Sequence, residues 1–565
     1  MTSVPPAGPR AEDTTVDVLV IGSGTGMAAA LASHERGLDV LVVEKTGYVG
    51  GSTARSGGAF WIPGNDTLRS EGAPDTADAV REYLRAVVGD GAPSSRWEAF
   101  LDNGRDAVAM LRRTTPMNFF WARGYPDYHP ENPGGSPLGR TCECSPFDAS
   151  VLGAERQRLR PGVVEAPVPM PVTGADYKWM NLMTRTPLRS WPRILKRAVQ
   201  GIGGLALGRD YLAGGQALAA GMFAGLVRAG VPVWTRSSMV ELTTEGDRVT
   251  GAVIEQDGRR VVVTARRGVV LAAGGFDHDL PMRREHQSVG LEAVSLGAGG
   301  NTGDPTAAGR WLGGGAALME EAWWFPAVAP IGDAGPAVLL AERSLPGSLM
   351  VDHTGSRFIN EADDYMSFGQ EVLRREAAGS PVGDMWLVFD QRYRNSYVLA
   401  GSVFPRMPLP KSWYAAGIAV RARDGRELAT RMGVPAESFA TTLERFNRLA
   451  ASGNDYDFHR GESAYDRYYG DPTVTPNPNL RPLSGSLYAV RVILSDLGTC
   501  GGLTVDENAR VLREDGAAVP GLYAIGNTAA NAFGHRYPGA GATIGQGLVF
   551  GYVAAQDLAA RDLAA

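Results

Sequence analysis

Residues 16–45 read VDVLVIGSGTGMAAALASHERGLDVLVVEK, and this stretch decides the fold. VDVLVI has the length and aliphatic content of a short buried strand. Glycines at 22, 24 and 26 make the turn that follows, and the alanine-rich run after them favours a helix. A second apolar run, VLVVEK, ends at Glu44 and Lys45. Strand, glycine turn, helix and strand in this order form the βαβ unit that binds dinucleotides. Gly22, Ser23, Gly24 and Gly26 are placed to hold a pyrophosphate at the helix start. Glu44 follows Gly22 by 22 residues, the separation expected of an acid on a ribose hydroxyl. The fingerprint is imperfect, because its sixth position is Met27 and Gly26 falls one place early.

Three later features select FAD over NAD. The loop GGSTARSGG at 50–58 follows the second strand. Gly51, Ser52, Thr53, Ser56, Gly57 and Gly58 offer it backbone amides and hydroxyls for a flavin and its phosphates. Residues 231–276 read as a strand ribbon with turns at EGD and QDGRR, then a strand returning to the nucleotide domain at GVVLAAGGF. Val240, Ala273 and Gly274 are its candidate contacts, and Asp304 joins them after the glycine loop 297–303. Finally, GLYAIGN at 521–527 is another buried strand with a glycine end, adding Gly526 and Asn527. Gly541, Thr543 and Ile544 open the helix beyond it. No histidine stands in loop 50–58, so the flavin is expected to bind without a covalent link.

The expected fold class is α/β: a split Rossmann-like FAD-binding domain of the glutathione-reductase type with an inserted catalytic domain of mixed α+β elements. Its expected pieces are a disordered tail over 1–16, nucleotide segments at 17–280 and 483–565, and a catalytic domain at 281–482. The 565 residues are too many for one core. The 73 glycines exceed the roughly 40 that average usage gives, and they cluster in loops. A net charge of −6 without a basic run argues against nucleic acid. Three cysteines in C-x-C plus one (Cys142, Cys144, Cys500) and seven scattered histidines give no metal spacing. A cytoplasmic protein is expected. The stretch 191–230 mixes basic and apolar residues; it is expected to be a buried helix with its lead-in, peripheral membrane contact being the alternative.

Beyond the cofactor motifs, YPDYHPENPGG (125–135), RFINEADDY (357–365), FHRGESAYDRYYGDP (458–472) and GHRYPGAGATIGQG (534–547) resemble the 3-ketosteroid Δ1-dehydrogenases. These are FAD enzymes related to the fumarate reductase and succinate dehydrogenase flavoproteins, and the similarity runs from about residue 17 to 558. The resemblance implies that Tyr365 takes the C2 proton of a 3-ketosteroid, assisted by Tyr128 through a hydrogen bond. It also implies that the Tyr537 hydroxyl and the Gly541 amide hold the C3 oxygen while C1 loses hydride. Tyr125 competes with Tyr128 by sequence alone. Trp323, Trp324 and Phe325 are candidates for the pocket wall or for core. An external electron acceptor of the quinone kind is implied as partner. A Δ4-dehydrogenase, a fumarate-reductase-like reductase and a non-catalytic flavin or steroid carrier are the rival readings. Ordinary tyrosine titrates near pH ~10, so a tyrosine base predicts an alkaline optimum.

Overall fold

The computed structural model describes residues 13–162, 169–288, 294–332 and 335–561. Thr14–Ile21 and Val40–Glu44 are parallel strands joined by the helix Gly26–Glu35. Their side chains alternate as a two-residue period demands. Val18 and Val20 face one hydrophobic cluster with the first helix, and Leu19 and Ile21 face another with the ribbon. Burial on both faces explains the unbroken apolar run.

The first sheet runs in the order 510–512, 518–524, 259–271, 14–21, 40–44, 233–235. Arg259–Leu271 serves twice. Its first half closes the antiparallel ribbon with Ser237–Glu245 and Arg248–Gln256, and its second half pairs in parallel with the first strand, Ile21 opposite Leu271. Ala518–Ala524 then pairs in parallel with it, Leu271 opposite Ala524. The C-terminal helix Ala542–Ala560 packs on the first helix. A strand and a helix from the C-terminal part of the chain thus join this sheet and its cover.

The second sheet is antiparallel and centred on Leu487–Thr499, which pairs with Ala322–Val328, Met385–Asp390 and Ala419–Ala422. Two expected boundaries move. Residue 482 precedes the central strand of this sheet, so the inserted unit extends through Thr499. The first strand starts at Thr14, inside the stretch expected as tail, while residues 1–12 lie outside the described residues. The reading of 191–230 also splits. Gly214–Ala229 is a buried helix, but Pro187–Ala206 is a helix whose apolar side chains face outward.

Candidate active site

The carboxyl edges of the parallel strands converge. Gly22 has φ +107°, and a Cβ there would stand 2.4 Å from the Ala272 carbonyl oxygen. Only glycine lets the first turn approach the loop carrying Ala273 and Gly274. Gly526 and Gly547 both press against Thr25, at 3.0 and 2.4 Å from the Thr25 hydroxyl to a built Cβ. Thr528 donates to the Gly274 carbonyl at 2.8 Å. The starts of the first and the C-terminal helix thus meet here, and neither has a side-chain cap or an acid in its first turn. Uncapped amides and the positive dipole end suit an anionic pyrophosphate.

Glu44 is oriented on both oxygens. Oε2 accepts from the Ser23 hydroxyl at 2.5 Å and its amide at 3.3 Å, and Oε1 accepts from Thr46. Lys45 pairs with Asp304 at 2.6 Å and also bonds the Thr302 hydroxyl, which draws the 297–304 loop to the same edge. Ser52 accepts from the Ala298 amide and the Asn301 side chain. The Ser56 hydroxyl accepts from the Gly58 amide, and Gly51 abuts Gly24. Gly57 meets no atom around its built Cβ. Asn527 accepts from both Trp323 and Thr543, each at 3.1 Å, and Ile544 is buried on the same helix. Val240 differs from these: it stands 39% exposed on the ribbon strand Ser237–Glu245. Acid, glycines and uncapped helix starts together fit FAD.

Tyr128, Tyr365 and Tyr537 come together although 409 residues separate the first from the last. Tyr537 stacks on Tyr128 with centroids 5.1 Å apart, and Tyr365 stands edge-on to both at 5.5 Å. All three are buried. The Tyr128 loop is tied to the Tyr537 loop through Pro538, whose carbonyl accepts from the Tyr128 amide at 3.2 Å and the Tyr83 hydroxyl at 2.6 Å. Asp127 anchors it further, accepting from Trp61 at 2.8 Å and pairing with Arg140. Tyr365 is the first residue of the helix Tyr365–Ala377, capped by Asp364. Gln370 on that helix donates to the His535 carbonyl at 2.7 Å, joining it to the Tyr537 loop.

Gly541 has φ +89°, and a Cβ would stand 2.1 Å from the Ala59 carbonyl oxygen. Gly539 and Gly545 likewise leave room for Trp61. These glycines let the loop and helix start lie flat on the strand Ala59–Trp61. Burial pushes the Tyr537 phenol up. The Tyr365 hydroxyl and the amides of Gly541 and Thr543 pull the other way. Burial also carries Tyr128 and Tyr365 well above the ordinary tyrosine range.

Trp323 and Phe325 reach this cluster, at 4.7 Å from Tyr537 and 4.9 Å from Tyr365. Trp324 alternates to the other face, against Gly369 and Glu321. The motif order did not single out the companions of Tyr128. Tyr465 lies 4.9 Å from it, while Tyr125 stacks on Tyr468 at 4.6 Å and meets Tyr469. The dense YDRYY run was the available signal. An open cleft of about 950 Å³ nearby is bordered by Glu320, Glu371, Arg374 and Arg536 and reaches none of the three tyrosines. Its charge does not suit an apolar substrate.

The FAD binding domain family model matches residues 17–544. The chain is 42% identical to a 3-oxosteroid 1-dehydrogenase of Mycolicibacterium smegmatis, over 96% of this chain and 97% of that one. A 4-oxocyclohexanecarboxylate 2-dehydrogenase of Sinomonas cyclohexanicum is 35% identical, over 97% and 93%. The crystal structure of a 3-ketosteroid Δ1-dehydrogenase from Sterolibacterium denitrificans, in complex with 1,4-androstadiene-3,17-dione, superposes with a TM-score of 0.90 at 37% identity, covering 97% of this chain and 99% of that one. A 3-ketosteroid Δ4-(5α)-dehydrogenase from Rhodococcus jostii shares the fold, with a TM-score of 0.65 at 21% identity over 98% of this chain and 100% of that one. The chain belongs to the FAD-binding flavoprotein family, on its 3-oxosteroid 1-dehydrogenase branch.

Proposed function

We propose that the chain carries out the FAD-dependent 1,2-dehydrogenation of 3-ketosteroids at the Tyr128–Tyr365–Tyr537–Gly541 cluster. The observation carrying this reading is the buried cluster in which Tyr537 stacks on Tyr128 at 5.1 Å and Tyr365 stands edge-on to both at 5.5 Å, with Gly541 four residues beyond Tyr537 on the same loop. A ketone oxygen placed among these donors is polarised by one O–H and one N–H, and the negative charge of the developing enolate is met by preorganised dipoles. Tyr365 takes the proton from C2. Tyr128, directed at the Tyr365 oxygen, lowers the cost of the phenolate so formed. The substrate loses one proton from C2 and one hydride from C1, leaving a C1–C2 double bond. FAD, when bound, supplies the acceptor for that hydride.

Opposed protonation states make the site work. Burial raises both phenols, so Tyr537 stays protonated as donor, while Tyr365 ionises against its surroundings to act as base. For the external electron acceptor we propose the quinone class. The test is product analysis: androst-4-ene-3,17-dione should give the 1,4-diene, and a saturated 3-ketosteroid should gain its first double bond at C1–C2. A Δ4 product from the saturated steroid, or turnover of 4-oxocyclohexanecarboxylate in place of steroid, would overturn the assignment.

A further inference from the structure

Tyr365 and Tyr537 act on neighbouring atoms of one substrate, yet they ride on different elements, a helix and a loop. The aromatic wall rides on a third, the strand Ala322–Val328. A misplacement of about 1 Å between such groups costs about 100-fold in rate. One carboxylate outside the tyrosine cluster touches all three elements. Glu321 stands immediately before the strand, and its Oε2 accepts from the Trp324 indole at 2.9 Å. Its Oε1 accepts from the Gln370 side-chain amide at 3.1 Å and stands 3.1 Å from His535 Nδ1. Gln370 lies five residues after Tyr365 on the same helix, His535 two before Tyr537, and Trp324 between Trp323 and Phe325.

These contacts close on one another. The Gln370 amide that reaches Glu321 also donates to the His535 carbonyl at 2.7 Å, so helix, loop and strand meet in a ring of hydrogen bonds. A Cβ on Gly369 would stand 2.1 Å from the Trp324 Cβ, which shows how closely the helix is pressed on the strand beside the same indole. The main chain of Glu321 is held as well: its amide donates to the Leu318 carbonyl and its carbonyl accepts from the Cys500 amide, each at 3.0 Å. The Glu321 side chain is 13% exposed, so water competes little for its bonds. Glu320 beside it is 58% exposed and stands at the rim, 3.9 Å from the His535 ring. The hydrogen bond to Glu321 raises the His535 imidazole above its ordinary value; Glu320 adds to this, while partial burial and Arg536 oppose it. A protonated imidazole bonded to a carboxylate is a charge-assisted pair, about twice as strong as a neutral one.

We infer that Glu321 is a positioning residue of the dehydrogenation: its carboxylate holds the Tyr365 helix, the Tyr537 loop and the strand of Trp323 and Phe325 in one register. The role rests on the reaction proposed above. Glu321 acts through Trp324, Gln370 and His535, and the proton transfer stays with Tyr365.

The test is anaerobic stopped-flow reduction of the purified flavin-loaded full chain by androst-4-ene-3,17-dione, which yields a limiting rate and a steroid dissociation constant separately. E321A should lower the limiting rate about 100-fold, with the dissociation constant and the flavin spectrum unchanged. The alkaline climb should persist in E321A over the same pH range, because the base itself is untouched. E321Q, which keeps the size of the side chain and an oxygen for Trp324, should fall between wild type and E321A. H535A trims only the 45%-exposed end of the network and should lose part of the same rate. E321A/H535A should lose no more than E321A, because both changes cut one connection. E320Q should match wild type. A staple of the fold alone predicts the reverse for E321A: a lower melting temperature, with the flavin-bearing fraction reduced as fast as wild type. That result, or additive losses in the double variant, would overturn the inference. Bleaching of wild type with an unchanged E321A rate would sink this role alone, whereas no bleaching of wild type would sink the proposed activity and the role with it.

Discussion

Tyr365 must lose a proton to act as base, and its surroundings oppose that loss. Burial raises its pKa well above the ordinary value, and the Tyr537 and Tyr125 phenols add to it, while the Tyr128 hydroxyl pulls it down. The working fraction of phenolate therefore grows as pH rises, and the rate of flavin reduction should climb from neutral into alkaline solution. A flat profile would contradict a tyrosine base. Tyr365→Phe should remove the climb together with nearly all turnover, while leaving flavin binding intact by absorbance. Tyr128→Phe should shift the climb to higher pH and cost about 100-fold, in the range of lost acid–base assistance. Tyr128 and Tyr125 could not be told apart by spacing. Geometry separates them: Tyr128 touches both Tyr365 and Tyr537, whereas Tyr125 stacks against Tyr468 one layer back. Tyr465, Tyr468 and Tyr469 showed in the sequence only as the aromatic-rich YDRYY run, since contacts across more than 300 residues leave no spacing that pairs them with Tyr125 and Tyr128.

At the scale of elements, the glycine of an oxyanion loop has two duties. Gly541 presents its amide, and it is the only residue type that fits φ +89° with the Ala59 carbonyl beneath it. Gly541→Ala should therefore act on structure as well as rate. The strained backbone costs about 1–3 kcal/mol before the clash is counted. A lowered Tm and flavin loss on gel filtration should accompany the lost activity; full stability with full flavin would show that the loop is not packed as described. The βαβ unit was legible because all its parts fall within thirty residues and obey fixed periods. The returning strand Arg259–Leu271 and the last strand Ala518–Ala524 were legible from their apolar runs and glycine ends. The stretch 191–230, expected as a buried helix with its lead-in, holds the buried helix Gly214–Ala229, but the helix Pro187–Ala206 before it turns its large apolar side chains outward. An amphipathic pattern tells which side chains share a face, not which face the rest of the protein covers.

At the scale of the molecule, the inserted unit is held to its tyrosine by a buried charge network. Glu361, four residues before Tyr365, pairs with Arg357 at 2.6 Å and Arg460 at 3.1 Å, and Arg357 also holds Asp455. Burial alone would raise the Glu361 carboxyl, but the two guanidinium groups outweigh it and hold it below the usual range; Arg357 does the same for Asp455. A folded pKa below the unfolded one adds stability that is present above the unfolded value, about 4, and is lost as pH falls through the folded one. Thermal melts of wild type should thus weaken steeply below about pH 4. Glu361→Gln should cost about 3–5 kcal/mol at neutral pH, because two buried cations lose a counter-charge; an unchanged melting curve would contradict this. The boundary expected at 482 missed the strand Leu487–Thr499, since an apolar strand carries no mark of the sheet it will join. The central claim, that the Tyr537 hydroxyl and the Gly541 amide grip one ketone oxygen, is met most directly by stopped-flow anaerobic mixing of the yellow holoprotein with androst-4-ene-3,17-dione. Wild type should bleach rapidly, and Tyr537→Phe, still yellow, should bleach about 100- to 1,000-fold more slowly; equal rates in the two proteins would contradict the claim.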